Sequence, residues 1–177
     1  ILLEASVSNV WEDAVEEWRV TGCYDNHDCS ETCLCGHEGI RYEYTIENSY
    51  NGNQLSPIGS QCILKFGSVE LKSEVQMWDQ AIKLLEALRR EGANSLKDLD
   101  SKYFSRRLFA FLHERGAFPA NEYNDYDGSK DRDFMIKMFN KRTEPTDRQK
   151  SKIYMILQTG IFPWLTLFED ELARRGA

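Results

Sequence analysis

Long apolar runs are missing from this chain of 177 residues. No stretch approaches the ~20 residues needed to cross a bilayer, so a membrane-spanning helix is not expected. A glycine-rich phosphate loop is missing too, which sets aside nucleotide-cradling motifs built on closely approaching backbone N–H groups. Histidine is scarce, with three in the chain. His27 and His37 fall among the cysteines, and His113 lies on a helical stretch beside Glu114 with no Ser or Cys suggested by spacing. Nucleophilic catalysis is therefore not expected, nor is a hydrolytic zinc, which favours histidine-rich ligation. The opening residues Ile1-Leu2-Leu3-Glu4 carry no basic n-region and no long apolar core. They also lack an initiator methionine, so the chain reads as trimmed. A cytoplasmic location in a reducing environment is the expectation, and clustered cysteines there read as metal ligands before disulfides.

What is present is a full complement for a folded core. Hydrophobic residues make up 41% of the chain and aromatics 12%, enough for one good-sized domain or two small ones. The net charge of −7 is unevenly placed. Residues 1–71 hold twelve Asp/Glu against three Lys/Arg, while residues 72–177 hold 17 against 19. An acidic front half repels phosphates and suits a basic protein surface.

Four of the five cysteines lie between Cys29 and Cys62. Cys29, Cys33 and Cys35 are close together, and Cys62 returns after an expected hairpin. Thiolates on a tight turn, joined by one from an element folding back over it, are how a zinc knuckle is built. Cys29, Cys33, Cys35 and Cys62 are the expected ligands of a structural zinc. For the fourth position, Cys23, His27 and His37 compete with Cys29. Gly36 after Cys35 suits a turn with positive φ.

Residues 39–48 alternate, with Ile40, Tyr42, Tyr44 and Ile46 on one face and Arg41, Glu43, Thr45 and Glu47 on the other, the clearest strand in the chain. Asn51-Gly52 signals a hairpin, and a second strand is expected over 54–59. Ser60 is expected as an N-cap, with Cys62 in the first turn of a short helix. Upstream, Val7, Trp11, Val15 and Trp18 recur at helical spacing with Ser8 as cap, although Trp18-Arg19-Val20 also suits the start of a strand. Residues 21–32 are polar and read as a loop. Downstream, helices are expected over 72–91 (capped by Ser73, stopped by Gly92), up to Arg115, over 131–140, from the Thr146–Gln149 capping box, and over 164–173. Trp78, Leu85, Phe104, Phe111 and Phe139 are expected in the core. The fold class is α+β: an acidic zinc module with a β-hairpin over residues 1–71, packed on a helical domain over 72–177.

Two further patterns are weaker. Asn124-Asp125-Tyr126-Asp127-Gly128 has the look of a calcium loop, but with Gly128 as its sixth position the first and twelfth fall on Tyr123 and Phe134, which cannot ligate calcium. Lys102, Arg106 and Arg107, and then Lys137, Lys141, Arg142, Arg148, Lys150 and Lys152, form basic clusters. Arg106, Arg107, Arg142 and Lys150 are the candidates for contacting nucleic acid. Acids are interleaved with them, which favours plain solvated helix faces.

The run Cys33-Leu-Cys35-Gly36-His37, Tyr44-Thr-Ile46-Glu-Asn48, Asn51-Gly52 and Ile58-Gly59-Ser60-Gln-Cys62-Ile63 resembles a group of bacterial and bacteriophage proteins of no established activity. They share a Cys-x-Cys-Gly, hairpin, Gly-(Ser/Asn)-x-Cys-(Ile/Val) module. Met138-Phe139-Asn140-Lys141-Arg142 and Lys152-Ile153 are similar to their helical tail, so the resemblance spans about residues 30–165. It implies zinc binding and a phage or mobile-element setting. Some members carry Cys where this chain has Tyr44, which implies a replacement ligand here from Cys23, His27, Cys29 or His37. Small acidic phage proteins of this kind include anti-CRISPR inhibitors. The expected function is non-enzymatic: binding and inhibiting a basic, nucleic-acid-handling host defence protein. Glu12, Glu16, Glu43 and Glu47 are the expected contacts, and a nucleic-acid-binding accessory role on the basic helices is the alternative.

Overall fold

The computed structural model describes residues 1–175, with side chains through Glu169. The chain is α+β, with small sheets in its N-terminal part and helices in its C-terminal part. It divides into two compact units: Ile1–Trp78 together with the segment from Glu169, and Asp79–Phe168. The division falls inside a long helix that runs from Val69 to Glu91. No helix among the described residues is long and apolar enough to cross a membrane.

In the first unit, helices α1 (Leu2–Ala5) and α2 (Trp11–Glu16) precede strand β1 (Trp18–Asp25). The two readings of residues 8–20 are thus resolved in favour of a short helix followed by a strand. The cap is Val10 and not Ser8, and it makes no side-chain cap bond. Residues 21–25, expected as loop, continue β1 because they pair with β4 (Tyr42–Asn48), Asp25 standing opposite Tyr42. β4 is the central strand of an antiparallel sheet ordered β1-β4-β5, with β5 at Gln54–Gly59. Tyr44 and Ile46 of β4 are fully buried. A register shift between Val20 and Gly22 breaks the alternation of β1, so Val20 and Cys23, three apart, are both buried. β5 slips similarly between Ile58 and Leu55, at Pro57, which has no N–H to give to a ladder.

Glu17 joins the N-terminal helices to this sheet. Its carboxylate accepts the N–H groups of Val7 and Ser8, both at 2.7 Å, and Asn48 Nδ2 at 2.5 Å. Burial pushes its pKa up, but these three hydrogen bonds outweigh it and hold the group below its ordinary value.

Strands β2 (Glu31–Thr32) and β3 (Glu38–Ile40) form a separate two-stranded ribbon. Between them lies the cysteine turn. After β5, α3 (Ser60–Lys65) starts at once. Its cap is Gly59, so Ser60 is the first helical residue rather than the cap. α4 (Val69–Glu91) begins before Ser73. Ser68 Oγ accepts the Leu71 N–H at 3.3 Å there.

The second unit takes the later turns of α4, where Ile82, Leu84, Leu85 and Leu88 are buried. Gly92 ends the helix with φ +75°. α5 (Arg106–Glu114) is capped by Ser105 and buries Leu108, Phe109, Phe111 and Leu112. A 3-10 turn (Glu122–Asn124) leads to α6 (Gly128–Phe139), capped by Asp127. Thr146 and Gln149 close a capping box at the start of α7 (Asp147–Ile156), as the sequence predicts. A π-helical segment, Leu157–Ile161, joins it to α8 (Phe162–Arg175). Of the expected core residues, Trp78, Leu85, Phe104 and Phe111 are buried, while Phe139 is half-buried with its ring edge-on to Phe109 at 6.1 Å.

Candidate metal centre

The turn between β2 and β3 is tightly drawn. The Cys33 N–H donates to the His37 carbonyl at 2.8 Å, and the Gly36 N–H donates to the Cys33 carbonyl at 2.7 Å. Gly36 has φ +87°, which an L side chain rarely adopts, so the glycine is what permits Cys33 and Cys35 to face the same way. Two contacts fix this turn on β5. The Leu34 N–H donates to the Pro57 carbonyl at 3.0 Å, and the Gly59 N–H to Cys33 Sγ at 3.4 Å. Because β5 runs straight into α3, Cys62 arrives in the first turn of that helix beside them.

The result is three sulfurs in one place. Sγ of Cys33, Cys35 and Cys62 all lie within 4.8 Å of one another. Cys62 Sγ is 3.5 Å from Cys33 Sγ and 3.0 Å from Cys35 Sγ. Tetrahedral thiolates at ~2.3 Å from a zinc-sized ion stand ~3.8 Å apart, so a small side-chain adjustment admits a metal. The donor chemistry fits a soft or borderline divalent ion, and the Gly59 amide already supplies the hydrogen bond that steadies a ligating sulfur. These three cysteines can hold a metal ion.

Without metal, the cluster shares its protons unevenly. Hydrogen bonds from Cys62, from the His37 backbone N–H and from Cys33 lower the Cys35 pKa to about 7. The hydrogen bond to Cys35, together with burial and the Cys33 contact, raises that of Cys62 to about 12.

Cys29, the expected fourth ligand, is not brought to the cluster. It is exposed in a left-handed conformation (φ 49°), its Sγ 3.9 Å from the His27 carbonyl. Cys23 is buried in β1. His27 Nδ1 stands 3.5 Å from Asp25 Oδ1, and the same carboxylate takes a two-pronged bond from Arg41, to Oδ1 at 2.8 Å and to Oδ2 at 2.9 Å. His37 instead lines the same pocket as the three cysteines. That pocket has a volume of about 330 Å³, and Arg41, Tyr42 and Lys65 are also in its wall. Arg41 and Lys65 carry no signal of a site in the sequence, since only the fold sets them beside the thiols.

The four acidic candidates fare differently. Glu12 and Glu16 are exposed on α2. Glu43, expected on the outward face of its strand, is half-buried, with Oε1 enclosed and unpartnered. Burial raises its pKa, against a hydrogen bond from Asn26, with nearby Glu31 adding to the rise. Glu47 is half-buried and accepts Gln54 Nε2 at 2.6 Å. Among the basic candidates, Arg106 Nε donates to Asn140 Oδ1 at 2.7 Å. Lys150 is held by Glu144 at 2.6 Å and Asp98 at 3.6 Å. Arg107 and Arg142 are exposed.

Sequence reasoning missed one surface. Trp11, which shares its helical spacing with Val15 and Trp18 as a core or interface anchor, is 43% exposed, and its neighbours Val7 and Val10 are exposed as well. The Trp11 ring meets Phe66 edge-on at 6.2 Å. Glu70 is exposed at the start of α4, and its own backbone N–H is the main cause holding its carboxyl below the usual range. No protein-family model, no curated protein and no solved structure matches this chain.

Proposed function

We propose that this chain is a non-enzymatic binding protein, stabilised by zinc at Cys33, Cys35 and Cys62, whose acidic N-terminal unit docks on a basic protein. The observation that carries the reading is the α2 surface. Trp11 stands exposed beside Phe66, with Glu12, Asp13 and Glu16 exposed on the same short helix and Glu70 exposed at the start of α4. An aromatic anchor inside a charged rim is the anatomy of a protein interface, where the aromatic supplies affinity and the rim sets association rate. An all-sulfur donor set suits a structural ion, and free thiols suit a reducing compartment. The further step, to inhibition of a nucleic-acid-handling host defence protein in the manner of an anti-CRISPR, rests on the resemblance of the Cys-x-Cys-Gly module alone.

The basic-helix alternative has less support. Lys150, Lys152 and Lys130 are each paired to carboxylates of the same unit, at 2.6, 3.0 and 2.6 Å, which leaves less free positive charge for phosphates.

The test begins with capture of partners by the full chain from nuclease-treated lysate, and continues with association kinetics of the captured protein. Reversing Glu12 and Asp13 to Lys should slow association and flatten its salt dependence. Trp11→Ala should speed dissociation, at a cost of about 2 kcal/mol or more if the ring is a hot spot. Binding untouched by these changes but abolished by neutralising Arg106, Arg107, Arg142 and Lys150 overturns the proposal in favour of nucleic acid or an acidic partner.

A further inference from the structure

Three thiolates leave one corner of a tetrahedral site to be filled. The knuckle supplies a donor for it. His37 follows Cys35 by one turn residue, Gly36, and its backbone is held at both ends. Its carbonyl accepts the Cys33 N–H at 2.8 Å, and its own N–H donates to the Cys35 sulfur. Only rotation of the side chain is left free. The residue is exposed and lines the pocket onto which all three cysteines open. Among the described residues its imidazole has no hydrogen-bond or ion-pair partner, so nothing competes for its nitrogens.

The other donors are worse placed. Cys29 and Cys23 do not line that pocket, and neither does His27, which is drawn to Asp25. Charge points the same way. Three thiolates around a divalent ion sum to one negative charge, and a fourth thiolate makes two. A neutral imidazole leaves the single charge, which Lys65 in the pocket wall can balance.

Resting on the metal reading above, we infer that His37 is the fourth ligand. Its side chain turns onto an ion held by Cys33, Cys35 and Cys62 and closes a Cys3His site. Cys29 takes no part.

Cobalt(II) in place of zinc in the full chain tests this, because sulfur-to-cobalt absorption counts thiolates and the visible bands report geometry. The native chain should show tetrahedral bands with three-sulfur intensity. His37→Ala should keep the sulfur band, shift the visible bands and weaken cobalt binding by at least about tenfold. His37→Cys should restore tight binding and raise the sulfur band by about a third, four sulfurs replacing three. Cys29→Ser should change nothing. Unchanged visible bands and affinity in His37→Ala overturn the inference, as does loss of a quarter of the native sulfur intensity in Cys29→Ser. If the native chain takes up neither zinc nor cobalt, the metal reading itself fails, which is a different result from a metal-loaded chain indifferent to His37.

Discussion

Replacing Gly128 with alanine is the sharpest test of how the second unit is assembled. Gly128 opens α6, and its backbone is not in the left-handed region, so conformation alone does not demand glycine. Alanine at such a position ordinarily stabilises by about 0.5–1 kcal/mol, by reducing the freedom of the unfolded chain. Space reverses the sign here. A Cβ on Gly128 would lie 2.1 Å from the Phe118 carbonyl oxygen, where ordinary contact begins at 3.4 Å. The obstacle is backbone, so it cannot swing aside, and a retreat of more than about 1 Å drags buried Phe118 with it. Overpacking of this kind costs about 1–3 kcal/mol or somewhat more, which leaves a net loss of roughly 2 kcal/mol. In a chain of this size that lowers Tm by about 4–8 °C. Urea titration followed by tryptophan fluorescence and circular dichroism measures it, with Lys137→Ala on the exposed face of the same helix as a control expected within about 0.5 kcal/mol of wild type. A Gly128→Ala protein as stable as wild type, or more so, refutes the close approach of α6 to the Phe118 backbone.

Two other outcomes follow from the first unit. Elemental analysis of chelator-free protein should find one zinc per chain; Cys33→Ser, Cys35→Ser and Cys62→Ser should each lose it and loosen the knuckle, while Cys23→Ser and Cys29→Ser should retain it. Glu17 is held below its ordinary pKa, so its stabilising effect is fully present above the ordinary glutamate value of about 4.3 and disappears as pH falls through the lower folded value. Glu17→Gln should therefore be less stable than wild type at pH 7, with the gap closing on acidification; a gap independent of pH rules out the charged carboxylate as its source.

Much of the fold was legible wherever the signal is local. The Thr146–Gln149 box needs only four residues, and it appears as read. The Asn-Gly turn and the following strand over residues 54–59 likewise carry their own chemistry. The failures share a cause in partners distant along the chain. Residues 21–25 look like a polar loop until β4 pairs with them, and the register shift at Thr21 erases the alternation that would have marked a strand. Cys29 looks like a ligand because it is near in sequence, yet three of the four expected cysteines converge without it. Which cysteines meet is decided by the Leu34 and Gly59 contacts to and from the β5 region, and those have no local signature. Trp11 carries the helical spacing of a packed residue, but α2 stops at Glu16 and leaves the ring out.

The central place of β4 has one more consequence. Cys33 and Cys62 are 29 residues apart, and the whole β4–β5 hairpin is strung between them. A metal ion shared by the two acts as a clasp on that loop. By the chain-entropy estimate for a cross-link, closing a loop of this length removes about 3–4 kcal/mol of freedom from the disordered chain. The unfolded chain with metal bound has therefore already met the cost of bringing the ends of the hairpin together, leaving the short-range Asn51-Gly52 turn to set the register. Metal ought then to act on the speed of folding as well as on stability: refolding after dilution from denaturant should be faster with zinc present from the start than when zinc is added once the chain has collapsed.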